Sequence, residues 1–286
     1  MKSTSDIHHI AILGAGVMGR GIAVAAAVSG YQVTLFDINK DVLDKAEAYA
    51  DKFLSGSVKR GKMTEEQKAE TLGKIKISQD VADMVADVII EAILEDLSLK
   101  QKVLRGIEAQ NSEDTIIASN TSTIPITQIA AGLERPENVV GMHFFNPAPI
   151  MKLVEVISGE MTAEWVSQVI FELAETMRKK PVHAKDEPGF IVNRVARHFY
   201  LEGLKVLEDR VASHETIDKL MEASGFRMGP FRLMDLIGIE TNHEVTKSLY
   251  NSFFQDEKFR PSRVQQKKVD AGHFGRKTGR GYYTYE

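Results

Sequence analysis

His9-Ile10-Ala11-Ile12-Leu13-Gly14-Ala15-Gly16-Val17-Met18-Gly19 is the stretch on which the reading of this chain turns. An apolar run of strand composition passes directly into G-x-G-x-x-G, and an Ala-rich segment over residues 17–29 reads as the helix that follows. Alone, the glycine spacing is a weak signal. In this context Gly14 permits a tight turn, Gly16 lets a pyrophosphate approach the backbone, and Gly19 lets helix pack on strand. The first N–H groups of the helix, from Val17 and Met18 onward, would face the phosphates with about half a positive charge. A second run, Tyr31-Gln32-Val33-Thr34-Leu35-Phe36, ends at Asp37. A carboxylate there accepts from adenosine ribose hydroxyls and repels a 2′-phosphate, which favours NAD over NADP. FAD shares the fingerprint and stays open at this point, as does a turn serving packing alone.

Working outward, β-rich runs at 9–13, 32–36, 75–77, 88–92, 115–118, 139–143, 153–157 and 181–184 alternate with helical stretches, among them a long one over 39–59. The runs VIIEAI and TIIAS are apolar enough for burial on both faces, as central parallel strands require. After Asp186 the strand signal stops. Asp186-Glu187-Pro188 suits the opening of a helix. Apolar residues then return at roughly helical spacing, and helices are expected near 215–224, 231–236, 240–254 and 262–271. The fold class is therefore α/β. A Rossmann-type, mostly parallel sheet domain over residues 1–185 precedes an all-α C-terminal domain over 186–286.

With 286 residues, two domains are the natural division. The net charge of −4 offers no positive field for nucleic acid or an anionic membrane. The absence of cysteine excludes disulfides, thiolate catalysis and Cys-based metal sites. No run reaches membrane-spanning length, and residues 1–6 lack the apolar core of a secretory signal, so a cytoplasmic protein is expected.

In a doubly wound sheet, ligands lie beyond the carboxyl ends of the strands. Glu95 and Lys100 follow one strand, Asn120 to Thr123 another, and His143-Phe144-Phe145-Asn146 a third. Oxidising an alcohol with NAD needs a base, and His143 alone among eight histidines ends a strand beside such a turn. Glu155 lies in the apolar stretch LVEVI, and an adjacent imidazole would give its carboxylate a partner. Ser122 could bond the substrate oxygen, or it could cap a helix before Ile124-Pro125. No paired-ligand spacing near His143 supports zinc, so no metal is expected.

Four stretches carry a family likeness: Ala118-Ser119-Asn120-Thr121-Ser122-Thr123, Gly141-Met142-His143-Phe144-Phe145-Asn146-Pro147, Met151-Lys152-Leu153-Val154-Glu155-Val156, and Asp186-Glu187-Pro188-Gly189-Phe190-Ile191-Val192-Asn193-Arg194. Together they closely resemble the 3-hydroxyacyl-CoA dehydrogenases, from about Ile7 to the C-terminus. The resemblance implies reversible NAD-dependent oxidation of an (S)-3-hydroxyacyl-CoA, with short chains such as 3-hydroxybutyryl favoured. It implies His143 as general base with Glu155 as its partner, and Ser122 and Asn193 holding the 3-oxygen. Asn146 would order the nicotinamide region, and Glu95, Lys100 and Lys277 would contact NAD. The family's helical domain usually dimerises, so a homodimer is implied. Lys59 and Arg60, with Lys62, could bind CoA phosphates or simply form a solvated helix end. Departures include Thr123 in place of a common Ser, and His198 and Arg227, which leave acyl-chain preference open. A dehydrogenase of a free hydroxy acid and a catalytically idle NAD-binding protein are the competing readings.

Replacing Asp37 with Ser should narrow the preference for NAD over NADP. Kd values for both reduced cofactors test this, and an unchanged ratio would remove Asp37 from the ribose site.

Overall fold

The computed structural model describes residues 2–286. Eight strands form one sheet: β1 (His9–Leu13), β2 (Gln32–Phe36), β3 (Ile75–Ser78), β4 (Val88–Glu91), β5 (Ile116–Ser119), β6 (Val139–Phe144), β7 (Leu153–Ser158) and β8 (Lys180–Lys185). Their order is β3-β2-β1-β4-β5-β6-β7-β8, and every neighbouring pair is parallel except β6 with β7. Strand order reverses between β1 and β4, so the turns after those two strands open on the crevice where such sheets bind ligands. The central strands β4 and β5 are buried along their whole length, as their apolar runs require.

The helices of this first unit are α1 (Val17–Val28), α2 (Lys40–Lys59), α3 (Glu65–Gly73), α4 (Leu97–Gln110), α5 (Ile126–Ala130) and α6 (Glu164–Thr176). Small residues Gly19, Gly21, Ala23 and Ala25 to Ala27 bury α1 against the sheet. In α2 the Asn39 side chain accepts from the Asp41 N–H, and Leu43, Ala46, Ala50 and Leu54 form the buried stripe.

The chain divides into two compact units between Glu187 and Pro188. Asp186 stays with the first because its carboxylate accepts the Ile126 and Thr127 N–H groups, both at 2.7 Å, and so caps α5. The helix expected to open at Asp186-Glu187-Pro188 begins instead at Val192. Gly189 (φ 75°) and Phe190 (φ 47°) lie in the left-handed region, which a right-handed helix cannot use.

The second unit is helical: α7 (Val192–Glu208), α8 (His214–Ala223), α9 (Pro230–Ile237), α10 (Ile239–Ser252) and α11 (Arg263–Asp270). Its core gathers Tyr200, Leu201, Leu204, Ile217, Phe231, Met234, Ile239 and Tyr282. Two buried carboxylates tie the tail to these helices. Asp218 accepts from the Phe231 and Arg232 N–H groups at the start of α9 and from the Tyr283 hydroxyl. Asp235 accepts from the Tyr282 and Tyr283 N–H groups and the Tyr285 hydroxyl. Burial, and then the adjacent carboxylate, push the Tyr285 hydroxyl up to about 12, so it remains a donor at any ordinary pH. No helix among the described residues is long and apolar enough to cross a membrane.

Asp235→Ala leaves the buried Tyr282 N–H, the half-buried Tyr283 N–H and the Tyr285 hydroxyl without their acceptor, and a buried donor left unpaired costs about 1–3 kcal/mol. Urea denaturation should show a loss of at least about 2 kcal/mol on this ground, and an unchanged midpoint would deny the carboxylate its role as a clamp.

Candidate active site

The glycine turn is built as close packing demands. Gly14 has φ 99°, and a Cβ on it would stand 2.7 Å from the Ala92 carbonyl oxygen. A Cβ on Gly19 would lie 1.7 Å from the Gly14 carbonyl oxygen, so any side chain would force α1 off β1. A Cβ on Gly16 meets nothing within 4 Å, and Gly16 and Val17 are exposed. No side chain caps α1, which leaves its leading N–H groups for an anion. At the end of β2, Asp37 accepts from the Ala15 N–H and the Asn39 N–H, both at 2.9 Å. These bonds hold the carboxylate against the turn. Open backbone, a helix N-terminus and a fixed acid together fit the pyrophosphate and adenosine ribose of a dinucleotide.

Further along the same edge, antiparallel pairing sets His143 opposite Glu155. The imidazole Nδ1 and the carboxylate Oε2 are 2.8 Å apart, with the histidine 6% and the glutamate 0% exposed. An ionised carboxylate can only accept, so Nδ1 carries the proton and Nε2 is the basic nitrogen of the neutral ring. The Phe145 ring lies 4.5 Å from the imidazole, centroid to centroid. Asn120 fixes the neighbouring loop. Its Oδ1 accepts from the Phe144 N–H and its own N–H donates to the Glu91 carbonyl.

An ion-pair group, buried at Lys100 and Glu91 and open to solvent at Glu95, supports that loop. The Lys100 ammonium, 1% exposed, lies 2.6 Å from Glu91 Oε1 and 3.1 Å from Glu95 Oε2. Glu91 also accepts from the Ser119 hydroxyl and the Ile93 N–H. Glu95 Oε1 accepts from the Thr121 and Thr123 hydroxyls and from the Ser122 and Thr123 N–H groups. Burial raises the Glu95 pKa, but the Lys100 charge and these hydrogen bonds outweigh it, and the net shift is downward. Lys100, expected to meet the cofactor, thus holds two carboxylates that shape the loop after β5. Glu91 escaped the sequence reading, although its signal, a carboxylate inside an apolar strand, is the one that singled out Glu155.

The cap allowed to Ser122 belongs to Thr121, whose Oγ1 accepts from the Thr123 and Ile124 N–H groups. Asn146 is exposed beyond β6. Lys59 ends α2 and Arg60 is its C-cap, both in solvent. In the helical unit, Asn193 is the second residue of α7, and the Lys277 ammonium pairs with Glu240.

A dinucleotide turn and a strand-end histidine–carboxylate pair on one sheet edge define an NAD-dependent oxidoreductase domain. Residues 9–187 match the 3-hydroxyacyl-CoA dehydrogenase NAD-binding domain, and residues 189–285 match the C-terminal domain of the same family. The chain belongs to the 3-hydroxyacyl-CoA dehydrogenases. It is 40% identical over 280 residues to 3-hydroxybutyryl-CoA dehydrogenase of Clostridioides difficile, covering 96% of this chain and 99% of that one. It is 44% identical over 282 residues to 3-hydroxyadipyl-CoA dehydrogenase of Escherichia coli, covering 98% of this chain and 59% of the relative's length. The crystal structure of (S)-3-hydroxybutyryl-CoA dehydrogenase from Ralstonia eutropha superposes with a TM-score of 0.93 at 41% identity, covering 98% of this chain and 100% of that one.

Because the folded Glu95 pKa lies below the usual 4.5, its contribution is complete above that value and disappears as pH falls through the depressed one. Glu95→Gln should therefore flatten the acid limb of the melting temperature below about pH 5. A limb as steep as that of the wild type would place the acid sensitivity elsewhere.

Proposed function

We propose that this chain interconverts an (S)-3-hydroxyacyl-CoA and the 3-oxoacyl-CoA. NAD, when bound, would supply the acceptor for the hydride that leaves C3 of the substrate. His143 Nε2 takes the hydroxyl proton as the carbonyl forms, and in reduction the imidazolium returns it. Glu155 faces the opposite nitrogen, so the charge formed on the ring meets a carboxylate already in place and the ring cannot turn. Ser122 and Asn193 hold the 3-oxygen, Asn146 orders the nicotinamide region, and Lys277 contacts the cofactor. Lys59 and Arg60 meet the CoA phosphates.

The observation that carries this reading is the buried pair of His143 and Glu155 at 2.8 Å on a strand end. Small acyl groups are its first choice, since the Clostridioides relative is named for hydroxybutyryl-CoA, while the Escherichia relative is named for the hydroxyadipyl thioester. Assembly as a homodimer through the helical unit and a cytoplasmic location belong to the same reading. Leu220, Phe226 and Phe254, all half or more exposed on that unit, support the dimer. A chain without cysteine suits a reducing compartment.

The test is the loss of NADH absorbance with acetoacetyl-CoA. NADH should be consumed far faster than NADPH, and His143→Ala should lower kcat roughly 10²–10⁴-fold with NADH binding retained. A folded variant with near-normal kcat would take His143 out of the reaction. Turnover of free hydroxy acids only would move the substrate away from CoA thioesters. NADH binding with no turnover of either would leave an NAD-binding protein without this catalysis.

A further inference from the structure

Arg197 is buried in the helical unit, 2% exposed. Its Nη1 donates to the Asn242 carbonyl at 2.7 Å and to Thr246 Oγ1 at 2.9 Å, both on α10. Asn242 is itself held, its Oδ1 accepting from Gln265 Nε2 at 2.8 Å. The Tyr200 ring lies 5.0 Å from the guanidinium carbon. Nε has no hydrogen-bond partner among the described residues. No carboxylate is among the groups acting on its charge, and burial pushes its pKa down to about 10.

A cation taken out of water is ordinarily met by a carboxylate, because removing the partner leaves an uncompensated buried charge. The same unit observes this rule in reverse: Asp218 and Asp235, equally buried, are each met by three donors. Arg197 is anchored on its Nη1 side while its Nε edge stays without a partner. A guanidinium fork with one edge fixed and another unpaired is preorganised for bidentate contact with a planar carboxylate.

Arg197 also has a register. It follows Asn193 by four residues on α7, so the two share a helix face about one turn apart, about 6 Å along the axis. An extended acyl chain advances roughly 4 Å over the three carbon–carbon bonds from C3 to C6. A carboxylate on C6 can therefore approach Arg197 while the oxygen on C3 is held by Asn193.

We propose that Arg197 recognises a carboxylate at the far end of the acyl chain, so that among six-carbon chains the 3-hydroxyacyl-CoA of a dicarboxylic acid is preferred over its methyl-ended counterpart. This rests on the reaction and the role of Asn193 proposed above. Entry of the carboxylate supplies the missing counter-charge. A methyl-ended chain of the same length leaves the guanidinium unpaired, so the residue selects by penalty as well as by attraction.

Initial rates of NADH oxidation with acetoacetyl-CoA, 3-oxohexanoyl-CoA and 3-oxoadipyl-CoA test the assignment. In the wild type, kcat/KM for 3-oxoadipyl-CoA should exceed that for 3-oxohexanoyl-CoA roughly 10–100-fold, the scale of a hydrogen bond to a charged group. Arg197→Met should bring that ratio close to one, chiefly through KM, and Arg197→Lys should keep part of it as a point charge without the fork. Equal kcat/KM for the two six-carbon substrates in the wild type overturns the proposal even if no variant folds. Turnover of acetoacetyl-CoA without that preference refutes only the role of Arg197. Failure with all three substrates overturns the reaction on which it rests as well.

Discussion

The single antiparallel pairing in an otherwise parallel sheet is the constraint from which the first unit's chemistry follows. Parallel strands deliver their carboxyl ends to one edge, which is why the glycine turn, Glu91 and the loop after β5 gather there. Strand β7 runs the other way beside β6, so residues near its beginning face residues near the end of β6. Only in this arrangement can Glu155, third in its strand, stand directly across from His143, next to last in the other. The pairing is unforgiving. A slip of one residue would turn Glu155 to the opposite face and leave the imidazole against an aliphatic neighbour.

That pairing is affordable because buried charge in this protein is almost everywhere matched at short range. Glu91, Lys100 and Glu95 form one chain of neutralised groups, with Ser119, Thr121 and Thr123 filling the remaining lone pairs. Glu108 is met by Arg135, whose backbone N–H and side chain both donate to it. These groups bring rigidity to loops that would otherwise be set only by their own short turns, since a satisfied buried network admits few alternative arrangements. Arg197 departs from the pattern, as does Lys179, whose ammonium is held by the Ala148 and Met151 carbonyls; on Arg197 one edge of the guanidinium is left over.

The sheet was legible from residue order with small differences at its ends. Alternation of apolar runs with helical stretches is a property of neighbouring residues, and it located all eight strands. The start of α7 was not legible in the same way. Asp186, Glu187 and Pro188 are good helix-opening residues by their local chemistry, yet Asp186 is engaged with the N–H groups of Ile126 and Thr127, about 60 positions earlier in the chain. The capping of the loop before α5 shows the same limit on a smaller scale. Thr121 and Ser122 have equivalent hydroxyls, and only the path of the backbone around Glu95 decides that Thr121 turns inward.

What the sequence determined by itself is therefore the set of elements, the cofactor turn and the identity of the acid–base candidates, because each depends on spacing within a few residues or on the few chemistries that a given side chain allows. Tertiary structure decided how groups meet: it joined the expected pair His143 and Glu155 through strand direction, and it alone set Lys100 with Glu91 and Glu95 beneath a loop and Arg197 with carbonyl and hydroxyl rather than carboxylate through the packing of α7 on α10. These are distances between residues remote in the chain, and no local propensity encodes them. They are fixed when the apolar faces of strands and helices settle against one another and every buried charge has to find, or wait for, its partner.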